Sequence, residues 1–247
     1  AIADALRGAD VPVLVKNPLN PDNNLWIGAL ERLYKAGVRK MAAVHRGFYP
    51  YEPTRLRNIP RWEIPIELKR QFPQLPMICD PSHIAGERNL IREISQKALD
   101  LSMDGLMIES HPNPSKALSD ANQQLTPQNL ANLLKRLEKR DYFSENAQFI
   151  HTLESLREKI DALDNRMLET LAERMKLVEK IGQYKKNNQV TILQLQRWQH
   201  ILTSRMEKGQ ELGLARDFLH RFLEMIHEES IQKQTEIMND NKDQPRD

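Results

Sequence analysis

A single cysteine in 247 residues excludes a disulfide framework within the chain and suits a reducing compartment. No apolar run approaches the roughly 18 to 20 residues of a membrane span, so a spanning helix is excluded as well. Excess charge of one sign is also missing. The 36 basic and 34 acidic residues leave a net charge of +2, without the one-signed field expected of a nucleic-acid binder. Small charged metabolites fit this balance better, and the chain reads as cytoplasmic. What is present is globular: 40% hydrophobic and 28% charged residues are ordinary for a folded protein. The length allows one large domain or two modest ones. Ala1 to Leu6 reads as the end of a helix and not as a targeting signal, so the chain is expected to be a fragment.

Proline is nearly absent from the second part. Thirteen of the fourteen prolines precede residue 140, and the remaining one, Pro245, lies in a polar tail. Before that boundary, short apolar runs recur at Val11 to Lys16, Val38 to Val44, Leu75 to Cys79 and Asp104 to Glu109. Between and after them lie helical patterns at Asn23 to Ala36, Trp62 to Phe72, Glu87 to Leu101 and Pro127 to Lys139. The alternation predicts four strand-helix units of a parallel α/β fold. Thr126 before Pro127 is a helix start, and Gly37 is a helix end. After it, Ile160, Leu163, Met167, Leu168, Leu171, Val178 and Ile181 mark one face of a helix running from about 149 to 186. At 1.5 Å per residue its length is about 57 Å. Two shorter helices, Leu195 to Lys208 and Leu214 to Met238, follow. The expected division is 1–139 α/β, 140–148 linker, 149–238 all-α and 239–247 polar tail.

In parallel α/β proteins, ligands bind at the carboxyl ends of the strands. All four ends carry chemistry. The first ends in Lys16, the second in His45, Arg46 and Gly47, the third in Asp80, Pro81, Ser82 and His83, and the fourth in Glu109, Ser110 and His111, with Asp120 close behind. Taken singly, each has an ordinary structural use: an ion-paired lysine, a hydrogen-bonding histidine, a turn aspartate. Their convergence on four consecutive strand ends favours a site. Lys16 and Arg46 suit a phosphate, and His83, Glu109 and Asp120 suit manganese, iron, cobalt or zinc. Cys79, alternating with Asp80, points toward the helices and reads as a structural thiol.

These residues also carry a resemblance. VLVKNP, HRGF, ICDPSH, GLMIESHP and KALSD, between Pro12 and Leu125, resemble the second half of the metal-dependent 3-deoxy-D-arabino-heptulosonate 7-phosphate (DAHP) synthases. The resemblance implies a (β/α)8 barrel that condenses phosphoenolpyruvate with erythrose 4-phosphate at the head of the shikimate pathway. Lys16 and Arg46 would hold phosphoenolpyruvate, and His83, Glu109 and Asp120 would hold the metal. Such a barrel takes about 250 residues, whereas four strands precede the helical part here. The family's cysteine ligand, its lysine-rich loop and a further arginine belong to strands that this sequence does not contain. The isolated chain is therefore expected to show little or no synthase activity, and its first strand is expected to form an exposed edge.

The helical part presents Arg157, Arg174 and Lys185 on one helix, then Gln194 and Arg197, then Ser230 and Gln234 one turn apart. Arg174 and Lys185 are about 16 Å apart along the axis and within roughly 20° in rotation, so they can bracket one small molecule. Arg157 lies about 42 Å from Lys185 and could join that ligand only from another chain. From composition alone, a dimerisation coiled coil without a ligand is the plainer reading. The pattern from Leu153 to Gln234, with LREKIDALDNRMLETLAERMKLVEKIGQYK, ILQLQRW and EESIQKQ, closely resembles the all-helical chorismate mutases, which are intertwined dimers. That resemblance implies that Arg157 of one subunit, with Arg174 and Arg197 of the other, binds the two carboxylates of chorismate. Lys185 and Gln234 would contact the ether oxygen, and Gln194 and Ser230 would assist. No cofactor is implied for this half. Gln194 stands where an aspartate is frequent, and Trp198 where a glutamate usually meets the substrate hydroxyl, which implies a weaker mutase or an altered pocket.

The combined expectation is the C-terminal half of a (β/α)8 synthase barrel fused to a three-helix chorismate mutase domain that dimerises, with chorismate or prephenate at the helical part regulating the synthase in the intact protein. The competing reading keeps the helical part as a dimeric prephenate or chorismate sensor without significant turnover.

Overall fold

The computed structural model describes residues 2–240 and divides into two compact units between Phe143 and Ser144. The first unit begins with a short helix, α1 (Ile2–Ala5). Four parallel strands follow, β1 (Val13–Lys16), β2 (Met41–His45), β3 (Met77–Cys79) and β4 (Gly105–Leu106), hydrogen-bonded in sequence order. Ala43 pairs in register with Val15 on one side and Met77 on the other. The connections are α2 (Asn23–Lys35), α3 (Glu63–Gln71), and α4 (Pro81–Ala85) with α5 (Ile91–Asp100), while α6 (Pro127–Lys135) follows the last strand.

The core lies between one face of the sheet and these helices. Ala43 and Cys79 pack there with Trp26, Leu68, Ile91 and Ala98, as expected of a parallel sheet covered by helices. Trp26 is completely buried and donates its indole N–H to the Val15 carbonyl at 3.1 Å. The Cys79 thiol is inside this core, where burial pushes its pKa up.

Local signals operate as read. The Thr126 hydroxyl accepts from Asn129 N at 3.2 Å with Pro127 opening α6, and Gly37 adopts φ +100° just past α2. Two expected spans shorten. The helix from Pro127 stops at Lys135 because the chain then pairs with a side chain: Gln96 exchanges two 2.9 Å hydrogen bonds with the Glu138 backbone. The fourth strand keeps two ladder residues because the chain leaves β3, and Leu125 N then donates to the Glu109 carbonyl at 3.1 Å. Among the described residues β1 is an edge strand, with Leu14 49% exposed.

The second unit consists of α7 (Ala147–Asn187), α8 (Leu195–Glu211) and α9 (Arg216–Asn239). Asn146 caps α7 by accepting from Phe149 N at 3.1 Å, so the helix starts two residues before the expected 149. Its 41 residues extend about 60 Å at 1.5 Å per residue. Helix α9 packs on the second half of α7 and on α8. Gly182 permits the close approach, since a Cβ there would lie 3.0 Å from Ile237 Cδ1. Gly209 lies under Leu219, where a Cβ would be 2.5 Å away. In the first half of α7, Ile160, Leu163, Met167 and Leu168 are all exposed. Of the expected polar tail, residues 241–247 lie outside the described residues.

Candidate functional site

At the carboxyl edge of the sheet, Asp80 ends β3 and caps α4, accepting from His83 N at 3.0 Å. Its Oδ2 also receives Lys16 Nζ at 3.0 Å and lies 2.8 Å from His83 Nδ1. Burial by itself raises the Asp80 carboxyl. The bonds from the His83 side chain and backbone and from Lys16 together outweigh burial and hold it below the usual carboxylate range.

With Nδ1 facing the Asp80 carboxylate, His83 presents Nε2 toward Glu109 Oε1 at 3.8 Å and Asp120 Oδ2 at 3.7 Å. Ligand atoms of these three residues lie within 4.8 Å of one another. One imidazole nitrogen and two carboxylate oxygens, with the imidazole braced by a carboxylate, suit a divalent transition metal. Asp120 is held at φ +52°, a left-handed conformation that costs energy and recurs at functional sites.

Behind these ligands is a second set that sequence reasoning missed. Arg57 donates to Asp120 Oδ1 and Gln123 Oε1, each at 2.7 Å, and Gln123 Nε2 donates to Glu109 Oε2 at 2.7 Å. Arg57 and Gln123 lie in irregular segments, where no periodicity marks them. Asp80 stood inside a recognised motif, but its bridging role needs Lys16 and His83 in place. Arg46 is positioned through its backbone, with N donating to the buried Asn17 Oδ1 at 2.7 Å, and its Nε is buried without a partner. Asn17 Nδ2 donates to the Gly47 carbonyl at 2.8 Å, so one amide joins the ends of β1 and β2. His111 Nδ1 accepts from Asn113 N at 2.9 Å and serves its own turn.

In the helical unit, Arg174 and Lys185 on α7 are half-buried, and burial lowers the pKa of each. Among the described residues neither has a carboxylate within ion-pair distance. Arg174 Nη1 donates to Ser230 Oγ at 2.7 Å, and Lys185 Nζ donates to the Ile192 carbonyl. Gln234 is buried, with Nε2 donating to the Ser230 carbonyl at 3.0 Å and Oε1 unpartnered. Two half-buried cations without a carboxylate in ion-pair reach among the described residues, and a buried amide with a free acceptor, are groups suited to an anionic ligand.

Gln194 and Arg197 lie exposed at the start of α8. Arg157 is exposed on the unpartnered half of α7 and does not join Arg174 within one chain. Sequence reasoning also missed His227. Its ring stacks on Trp198 with centroids 3.8 Å apart and planes 6° from parallel. Burial lowers the His227 pKa, and the charges of Arg174 and Lys185 lower it further.

Comparison with known proteins matches a different family to each part of the chain. The family model of DAHP synthetase I matches residues 3–144, and that of chorismate mutase type II matches residues 156–235. A phospho-2-dehydro-3-deoxyheptonate aldolase from Thermotoga maritima is 30% identical over 128 residues, covering 52% of this chain and 37% of that protein. A 2-dehydro-3-deoxyphosphooctonate aldolase from Desulfotalea psychrophila is 30% identical over 125 residues, covering 45% and 42%. A solved truncated form of the 3-deoxy-D-arabino-heptulosonate 7-phosphate synthase from Thermotoga maritima superposes with a TM-score of 0.50 at 28% identity, covering 54% of this chain and 50% of that one. The chain thus spans about two-fifths of the length of the curated relatives it matches.

Proposed function

Because this chain belongs to the DAHP synthetase I family and carries a chorismate mutase type II domain fused behind it, we propose that its helical unit converts chorismate to prephenate and its sheet carries part of a DAHP synthase site. The observation that carries the mutase reading is the pair Arg174 and Lys185, half-buried and, among the described residues, without a carboxylate in ion-pair reach. Chorismate is a dianion, and its rearrangement is unimolecular, with no nucleophile or general base required. The protein must hold the compact conformer and stabilise negative charge growing on the ether oxygen. Arg174 and Arg197 take the carboxylates, and Lys185 and the Gln234 amide face the ether oxygen. The exposed stripe of Ile160, Leu163, Met167 and Leu168 is the face along which a second copy docks. That copy brings its Arg157 to the site, so the working unit is a homodimer. Incubation of the protein with chorismate is expected to give prephenate. Unchanged chorismate would overturn the reading. A sensor without turnover is less favoured, because the desolvated cations and the buried amide are all retained.

At the sheet edge, Lys16 and Arg46 bind the phosphate of phosphoenolpyruvate, and Asp80 holds Lys16 in place. His83, Glu109 and Asp120 hold a divalent metal, with manganese, iron, cobalt and zinc all compatible with this donor set. When bound, the metal supplies Lewis-acid polarisation of the erythrose 4-phosphate aldehyde. Arg57 and Gln123 fix the two carboxylates in the orientation that faces His83. Among the described residues no helix is long and apolar enough to cross a membrane. The reducing compartment suggested by the single cysteine leads us to assign the protein to the cytoplasm. We also assign the helical unit a regulatory role in the intact protein, so that prephenate changes the synthase rate. Equal rates with and without prephenate would refute that role.

A further inference from the structure

We propose that His227, fixed by its stack on Trp198, is the residue that recognises the ring hydroxyl of chorismate. The inference rests on the mutase reading and deepens it. Chorismate offers two carboxylates, an ether oxygen and one hydroxyl, and the pocket must answer each. Arg174 and Lys185 answer the anionic groups. The Ser230 hydroxyl is already used twice, accepting from Arg174 and donating to the Ile226 carbonyl at 2.6 Å. Gln234 has its Nε2 on the Ser230 carbonyl. Among the described residues no carboxylate stands within ion-pair distance of the two cations to accept a hydrogen bond from the hydroxyl, and Trp198 can donate a hydrogen bond but not accept one.

Among the described residues, His227 is a side chain beside Ser230 that can do both. It lies one turn before Ser230 on α9, on the same face. Neither of its nitrogens is spent on a hydrogen bond among the described residues. Ser230, one turn further along α9, receives Arg174 at 2.7 Å, which brings His227 to the same end of the pocket, and the charges of Arg174 and Lys185 lower its pKa. Stacking at 3.8 Å, only 6° from parallel, fixes the plane of the imidazole, so that its polar edge is set before substrate arrives. A neutral imidazole donates from one nitrogen and accepts at the other, which is what a hydroxyl partner requires. Trp198 therefore does not disable recognition. It holds the group that performs it.

The test compares kcat/KM for chorismate with that for its hydroxyl methyl ether in the full chain. The parent is expected to prefer chorismate by about tenfold, the worth of one well-placed hydrogen bond to a buried polar group. His227→Phe keeps a ring on Trp198 but removes both nitrogens and is expected to bring the ratio close to one, mostly through KM. His227→Gln is expected to restore most of it. A ratio in His227→Phe equal to that of the parent would overturn the assignment. If His227→Phe does not fold, Trp198→Ala reads the same role: releasing the imidazole is expected to lower the ratio several-fold, and an unchanged ratio overturns it. If the parent forms no prephenate at all, the mutase reading itself has failed, and this inference falls with it.

Discussion

Arg174 Nη1 donates to Ser230 Oγ at 2.7 Å between α7 and α9, while Ser230 donates to the Ile226 carbonyl one turn below it. Ser230 therefore holds the arginine in place, with its one proton committed to the backbone. Ser230→Ala is expected to raise KM for chorismate by about three- to tenfold, since a hydrogen bond to a charged group contributes about 1.5–3 kcal/mol and part of that is recovered through water. The turnover number should fall less. Steady-state kinetics checks the split.

Lys185 is half-buried, with no carboxylate in ion-pair reach among the described residues, and in the proposed mechanism its charge serves the developing ether oxyanion. Lys185→Ala is expected to reduce kcat by about 10² to 10³, the usual loss for one oxyanion-stabilising donor, with a smaller effect on KM. A Lys185→Ala variant with the parent turnover number would remove the residue from the mechanism.

The exposed Arg157 on an unpartnered helix face provides a complementation test. Arg157→Ala and Lys185→Ala should each be nearly inactive alone. Mixed after unfolding and refolding, they should recover about a quarter of parental activity, because half of the dimers become hybrids and each hybrid carries one intact site. Continued inactivity of the refolded mixture would mean that each site is built from a single chain.

In the first unit, Mn²⁺ is expected to raise the unfolding temperature by binding the folded state. His83→Ala should abolish that shift. Gln123→Ala, which frees Glu109 from its 2.7 Å hydrogen bond, should weaken Mn²⁺ binding by about tenfold, as loss of a residue behind a metal ligand commonly does. Titration calorimetry distinguishes the two outcomes.

His45 is fully buried against Phe48 and Trp62, and burial lowers its pKa from 6.5 to about 3. The backbone at Pro60 and the charge of Asp80 oppose that shift without cancelling it. Below pH 6.5 the unfolded chain binds a proton that the folded chain refuses. Stability is therefore complete above pH 6.5 and falls as pH drops toward 3. By pH 5 the loss attributable to this group is roughly 2 kcal/mol. Denaturant unfolding of His45→Gln at pH 7.5 and pH 5 should show a smaller decline than the parent.

Much of this protein was legible before folding was considered. Strand and helix spans follow from runs and periods in the chain, and Thr126, Pro127 and Gly37 mark helix ends through local backbone preferences that need no tertiary partner. The strand-end residues Lys16, Arg46, His83, Glu109 and Asp120 were legible for the same reason, because a parallel sheet delivers its carboxyl ends to one edge. What the sequence left open depends on distance between segments remote in the chain. Arg57 reaches Asp120 across 63 residues, and Arg174 reaches Ser230 across 56. Neither pairing has a period or a cap to announce it. Trp198 alone reads as the loss of a hydroxyl partner. Only the packing of α8 against α9 lays that indole flat on His227. Periodicity and capping are local energies and can be read along the chain, whereas the partner of a buried polar group is decided by which surfaces the core brings together.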